Sequence, residues 1–309
     1  MDYPHTFNST SAMWNNIIEF FKSIFSSPDP IVEDAAQLNE EIVLEEYGPS
    51  PEELADRAAA AQRSRGGLAS AIGETIEVNP NGGESISIET PRYYWLLDNG
   101  HGELQSGKRS PKFEDGTRFE EWEFTRDIVA RMIPKLDQAG VQYLNVVPET
   151  QVGSFLRERV ARANSASHPL GIPPIFVSIH ANAFGMGDAW SSSESARGLE
   201  MWHFPESNTG MRIASVFQRE LLKALPTWRD RGIKAHKKGS RNVFYVLQNT
   251  SMPAVLTENG FYTNKEETEL LRRDDIRQLI ADAHVAAILH IEQNGWENEP
   301  IHRPNMVLA

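Results

Sequence analysis

Residues 174–182 read Pro174-Ile175-Phe176-Val177-Ser178-Ile179-His180-Ala181-Asn182. The apolar part, Ile175–Ile179, is short, rich in β-branched residues and preceded by proline, which predicts a strand buried on both faces. Strands of this kind are typical of parallel sheets that helices cover on both sides. Because the run leads directly into His180, the sequence predicts a histidine at the carboxyl end of a buried strand.

Similar apolar runs alternate with longer amphipathic segments after residue 90. The other expected strands are Tyr93–Leu97, Val141–Val147, Leu199–Phe204, Val243–Leu247 and Ala254–Thr257. The expected helices are Phe119–Gln138, Gln151–Ser165, Met211–Ala224, Lys265–Arg272 and Asp275–Glu292. Alternation of strands and helices predicts an α/β fold with a mainly parallel twisted sheet of about six strands and helices on both faces.

The composition excludes several classes of protein. With 309 residues and 40% hydrophobic residues, the chain is long enough for one large domain or two modest ones. No apolar stretch approaches the ~20 residues of a transmembrane helix. There is no cysteine, so we expect any metal ion to be held by His, Asp or Glu. The net charge is -13, and no basic stripe is present, so nucleic acid is not an expected partner.

Residues 1–90 differ from the rest of the chain, because they hold 16 acidic and 4 basic side chains. We expect a mostly helical or irregular N-terminal extension, an α/β domain at 91–296 and a C-terminal tail at 297–309. Apolar residues at three- and four-residue steps predict an amphipathic helix over Met13–Phe25. Packing on protein is the preferred interpretation of its apolar stripe, and contact with a membrane surface is the alternative. No signal peptide is predicted from the N-terminal residues.

Polar side chains follow three of the expected strands. His101, between Gly100 and Gly102, follows the first strand, His180 follows the third, and Glu258 follows the last. Ligands of open α/β sheets bind beyond the carboxyl ends of the strands, so these three side chains are expected to meet at one edge. For each histidine taken alone, ordinary hydrogen bonding is the preferred explanation, and only their convergence favours a functional site.

A catalytic zinc site usually takes three protein ligands, and a glutamate at the start of the helix over residues 119–138 is the best source of the third. Three glutamates compete there: Glu120, Glu121 and Glu123. At 100° per residue, Glu121 shares the apolar face of Ile128, whereas the other two point away from it. A carboxylate on an inward face is costly unless it is paired or metal-bound, which favours Glu121. Stabilisation of the helix N-terminus is the alternative role.

These residues resemble the zinc-dependent N-acetylmuramoyl-L-alanine amidases of the Amidase_3 type. The resemblance rests on four elements in order: Gly100-His101-Gly102, Glu121 opening a helix, Ser178–Asn182, and Glu258-Asn259-Gly260-Phe261 followed by Asn264. Supporting matches are Leu156–Arg159 with Ala163-Asn164, Arg231–Lys234, and Val246-Leu247 with Met252–Leu256. The resemblance covers residues 93–293 and implies one zinc ion held by His101, Glu121 and His180, with Glu258 as the catalytic carboxylate. It assigns no substrate-binding residue.

The resemblance implies a cell-wall lytic enzyme that hydrolyses the amide bond between N-acetylmuramic acid and L-alanine in peptidoglycan. A zinc peptidase of other bond specificity is the alternative enzyme. A structural or assembly component of a phage or injection apparatus, docked through residues 1–90, is the alternative from another class. We expect action outside the cytoplasm, after delivery by lysis, by a particle or by a non-classical route. Mn²⁺ or Co²⁺ could replace zinc in part.

Two features depart from the family pattern. Glu103 and Asn259 stand where the family commonly has glycine. Residues 184–197, rich in Gly and Ser, are predicted to form an inserted loop near the site.

Overall fold

The computed structural model describes residues 87–167, 171–185, 189–236 and 244–304. The predicted helix Met13–Phe25 and nearly all of the acidic extension lie outside the described residues. The extension and the domain boundaries at residues 90 and 296 stay predictions.

The described residues form one six-stranded sheet with helices on both faces. The strands are β1 (Tyr94–Asn99), β2 (Gln142–Asn145), β3 (Pro174–Asn182), β4 (Leu199–His203), β5 (Asp230–Ala235) and β6 (Ala254–Phe261). The helices are α1 (Glu121–Ala139), α2 (Leu156–Asn164), α3 (Asn208–Ala224), α4 (Tyr245–Asn249), α5 (Lys265–Leu271) and α6 (Asp274–Asn294). The strand order is β2-β1-β3-β6-β4-β5, and all neighbours are parallel except β6 and β4. The predicted α/β fold is confirmed.

The prediction of a strand at Val243–Leu247 is wrong. Val243 lies outside the described residues, and Tyr245–Asn249 form the short helix α4. Val246 and Leu247 are buried as they would be in a strand, and a short apolar run does not distinguish the two states. The sixth strand is instead β5, whose only apolar residue with a large side chain is Ile233. As an edge strand beside β4, it carries too few buried positions to give an apolar signal.

Two of the strands that extend past their predicted ends carry site residues. β3 continues through His180 to Asn182, and β6 continues through Glu258 to Phe261. His180 and Glu258 are therefore strand residues, and they lie directly opposite each other in the parallel β3–β6 pair. Tertiary pairing extends both strands over polar residues that lack strand propensity.

The sheet separates two apolar layers. Along β1, Trp95 and Leu97 face a core built with α1, α3 and α6, whereas Tyr94 and Leu96 face a smaller core built with α2 and α4. This alternation is the two-residue period of a strand that is buried on both faces. Within the described ranges, no helix has both the length and the apolar character needed to cross a membrane.

A buried ion pair joins β1 to α2. Arg159 is 1% exposed, and its Nη1 lies 2.5 Å from Oδ1 of Asp98, which is fully buried. Ser178 on β3 donates to the other carboxylate oxygen of Asp98 at 2.6 Å. Arg159 also donates to the backbone carbonyls of Asn99 and Ser154. The pair therefore fixes the end of β1 against its neighbours.

We expect Asp98→Ala to destabilise the fold by about 3–5 kcal/mol, because it leaves the Arg159 guanidinium buried without a counter-charge. Urea unfolding measures this free energy. The matched control is Glu149→Ala. Glu149 is partly exposed and pairs with Arg162, which lies on the same helix as Arg159. Exposed pairs contribute about 0–1 kcal/mol, so equal losses in both variants would contradict the prediction.

Candidate metal centre

Three side chains from separate elements meet at the carboxyl-terminal edge of the sheet. His101 follows β1, Glu121 is the first residue of α1, and His180 lies in β3. His101 Nε2 is 3.2 Å from Glu121 Oε2, and His180 Nδ1 is 3.0 Å from Glu121 Oε1. One ligand atom from each lies within 4.8 Å of the others. In the part of the chain that the structure describes, no other group of three His, Asp or Glu side chains could bind a common ion.

The carboxylate of Glu121 is held in place by burial and by hydrogen bonds. It is 2% exposed, and the backbone N–H of Ala181 donates to its Oε1 at 3.0 Å. Burial by itself would raise the pKa of Glu121, but His101 and His180 lower it more, so the pKa lies well below its usual range. The helix face predicts this burial, and Glu120 and Glu123 are more exposed than Glu121.

His101 adopts a conformation that few non-glycine residues use. Its φ is 61°, in the left-handed region, which costs about 1–2 kcal/mol. Its backbone carbonyl accepts hydrogen bonds from Arg126 at 3.1 Å and from Arg159 at 3.3 Å. Its Nδ1 lies 2.6 Å from Gln105 Oε1. Gln105 thereby orients the ring so that Nε2 faces Glu121, a contact that sequence analysis did not identify.

The two glycines beside His101 are required because other residues lie too close to their Cα atoms for a side chain to fit. A Cβ on Gly100 would lie 2.4 Å from Cε1 of the His180 ring, far inside contact distance. A Cβ on Gly102 would lie 2.0 Å from the backbone oxygen of Val152. The Gly-His-Gly motif thus allows two chain segments to pack directly against the loop that carries His101.

Glu258 is a buried carboxyl with an unsatisfied oxygen. It is 7% exposed, and its Oε2 is buried without a hydrogen-bond partner among the described residues. Burial, followed by the negative charges of Glu121 and Glu200, raises the pKa of Glu258 well above its ordinary value. Because it lies opposite His180 in the sheet, its side chain stands on the same face as the histidine. A carboxyl with a raised pKa beside a metal-binding group has the properties of a general acid or base.

Glu200 extends this polar row on the neighbouring strand. It lies opposite Glu258 in the antiparallel β4–β6 pair and is 3% exposed. Its Oε2 forms ion pairs with Arg231 and Lys234. Both cations lie on β5, the strand that pairs with β4. Burial raises the pKa of Glu200, but the hydrogen bonds from these two cations lower it more. Sequence analysis placed Arg231 and Lys234 in a motif that matches the family and did not identify Glu200.

The other described histidines lie outside the metal-binding group. His284 is fully buried and contacts Thr257 and the carbonyl of Ile280. His302 pairs with Asp230, and His290 pairs with Glu299. These contacts give the three histidines a structural role.

The donor atoms fit zinc in type and number. Two imidazole nitrogens and one carboxylate are a common ligand set of catalytic zinc, and three protein ligands leave one position for solvent or substrate. Magnesium and calcium prefer all-oxygen ligands, so the two imidazoles disfavour them. The group can therefore hold one ion of the zinc type.

Comparisons with known proteins agree with this geometry. The family model of the Amidase_3 type, described as N-acetylmuramoyl-L-alanine amidase, matches residues 96–290. The chain is 29% identical to the endolysin of Bacillus phage SPP1, over 66% of this chain and 69% of that protein. It is 33% identical to the N-acetylmuramoyl-L-alanine amidase LytC of Bacillus subtilis, over 67% of this chain but only 36% of LytC.

Solved structures give the same result. The N-acetylmuramoyl-L-alanine amidase of Clostridium difficile 630 is 25% identical to this chain and superposes with a TM-score of 0.53. That match covers 66% of this chain and 99% of the amidase. AmiC2 of Nostoc punctiforme is 26% identical, with a TM-score of 0.50 over 65% of this chain and 98% of its own. The chain belongs to the N-acetylmuramoyl-L-alanine amidase family.

Proposed function

We propose that this protein is a zinc-dependent amidase that separates the lactyl group of N-acetylmuramic acid from L-alanine in peptidoglycan. The observation that carries the proposal is the convergence of His101, Glu121 and His180 on one point beside the buried carboxyl of Glu258. Membership of the amidase family assigns the amide hydrolysis, and the donor set supports zinc as the metal.

In this proposal the three ligands do different work. Zinc, when bound, supplies Lewis acidity that polarises a carbonyl and lowers the pKa of a coordinated water toward ~7. Glu121 supplies the negative charge, and Ala181 N–H restrains its carboxylate. His101 presents Nε2 because Gln105 occupies its Nδ1. His180 presents Nδ1 and is kept in place by Gly100, against which its ring packs.

Glu258 is proposed as the group that moves the proton. Its Oε2 has no partner of its own in the described chain, so it is free to accept the proton of the attacking water. The raised pKa favours retention of that proton until the departing amine of L-alanine can take it. One carboxyl can thus serve first as base and then as acid.

We further propose that the enzyme acts on the cell wall, outside the cytoplasm. The endolysin of a Bacillus phage and LytC are among its relatives, and both names refer to lytic proteins. Docking of residues 1–90 on a protein partner, with delivery by lysis, a particle or a non-classical route, remains part of this proposal.

We expect Glu258→Gln to lower kcat by about 10²- to 10⁴-fold, because the amide cannot exchange the proton. Release of stem peptide from purified peptidoglycan, followed by mass spectrometry, measures the rate and identifies the bond that is cut. The variant should still bind one equivalent of zinc by elemental analysis. Near-normal turnover would remove Glu258 from the mechanism.

His101→Ala and His180→Ala should lose the metal. Changes to residues around a metal ligand already cost about 10- to 100-fold in affinity, so loss of a ligand should cost at least about 100-fold. Competition with a zinc chelator measures the dissociation constant. His290→Gln is the control, since His290 contacts Glu299 and lies outside the site. Unchanged zinc affinity in both site variants would refute the assigned ligands.

Removal of the metal should abolish turnover and lower the melting temperature, because an ion that binds only the folded chain stabilises it. Dialysis against a chelator, elemental analysis and differential scanning calorimetry test this. One equivalent of Zn²⁺ should restore both quantities, whereas Mg²⁺ should restore neither. Full activity in protein shown to be metal-free would contradict the proposal.

A further inference from the structure

We infer that Lys234, supported by Arg231 and Glu200, forms a subsite that binds a carboxylate of the peptide stem. The inference rests on the proposed function and extends it to the recognition of substrate. Four observations carry it: the position of these side chains in the sheet, the saturation of Glu200, the remaining donors of Lys234 and the charge of the cluster.

The cluster lies on the face of the sheet that carries His180 and Glu258. Glu258 pairs with Glu200 across β6 and β4, and Trp202, two residues on, pairs with Lys234 across β4 and β5. Paired residues, and residues two apart in a strand, project from the same face. Two strand spacings of ~4.8 Å and an offset of two residues along the strands place the backbone of Lys234 roughly 12 Å from that of Glu258.

Glu200 has no free capacity for a ligand. Its Oε1 accepts from Asn182 at 2.7 Å and from Trp202 at 3.0 Å. Its Oε2 accepts from Arg231 and Lys234. A carboxylate has about four acceptor sites, so all of them are used. Glu200 therefore anchors the two cations and does not itself bind substrate.

Lys234 keeps donors for a ligand. Its side chain is 30% exposed, and Glu200 is its single hydrogen-bond partner among the described residues. An ammonium group has three donors, so two remain. Its Nζ lies 5.6 Å from the centroid of the Trp202 ring, which stacks against His236. The lysine is thus held in one place while its side chain stays partly exposed to solvent.

The charge of the cluster indicates an anion. One carboxylate is shared by two cations, which leaves one positive charge in excess at a partly exposed position. In the proposed substrate, the carboxyl of muramic acid is consumed in the scissile amide, so it carries no charge. The free carboxylates belong to the amino acids of the stem. At ~3.4 Å per extended residue, the second or third stem residue reaches about 7–10 Å from the scissile nitrogen, which brings its carboxylate within reach of the long side chain of Lys234.

The test compares two soluble muramoyl peptides that differ only in whether the stem carboxylates are free or converted to carboxamides. For Lys234→Met we expect kcat/KM on the free-acid substrate to fall about tenfold, because one charge-assisted hydrogen bond is lost. Turnover of the carboxamide substrate should change less than about twofold, and Lys234→Arg should retain the preference for the acid. An equal loss on both substrates would overturn the subsite.

The control is Lys223→Met, at an exposed lysine of α3 that pairs with Glu220, for which no change is expected on either substrate. Binding of the free acidic stem peptide to the zinc-loaded protein is measured beside turnover by calorimetry. Weaker binding in Lys234→Met supports the subsite even where no muramoyl peptide is cut, whereas unchanged binding refutes it. Absence of cleavage by the wild-type protein counts against the proposed function alone.

Discussion

The contact of one buried carboxylate with two imidazoles sets the geometry of this protein. Glu121 is 2% exposed, and burying its charge without partners would cost several kcal/mol. His101 and His180 supply those partners. His101 follows β1 and His180 lies in β3, so α1 must begin beside the carboxyl ends of both strands. The left-handed backbone at His101 and the bare Cα of Gly100 are consequences of bringing these three groups together.

The acidic side chains on this edge of the sheet have different partners. These partners distinguish the carboxylates that hold other residues in place from the one that we propose to react. Asp98 is neutralised by Arg159, and Glu200 is saturated by four donors. Glu121 is balanced by two imidazoles, which would bind a metal ion together with it. Glu258 alone of these four has a buried oxygen without a hydrogen bond in the described chain. The carboxyl that we propose as the reactive group is the one that the fold leaves uncompensated.

Much of the architecture could be predicted because a strand that is buried on both faces consists almost entirely of apolar residues. The runs at Tyr93–Leu97 and Ile175–Ile179 are apolar except for Ser178, and the structure has strands at both. The same rule failed at Val246-Leu247, since a short helix pressed on the sheet buries the same residues as a strand. It also missed β5, where Arg231 and Lys234 face a carboxylate partner that lies elsewhere in the chain.

By itself, the sequence determined which side chains could meet. Strand ends locate His101, His180 and Glu258, and helix periodicity selects Glu121, because both depend on local geometry that repeats along the chain. The tertiary structure decided what surrounds them. The contacts of Gln105, the carbonyl bonds from Arg159 and the four donors on Glu200 depend on the register of strands and on loop conformation, and no local pattern encodes those relations.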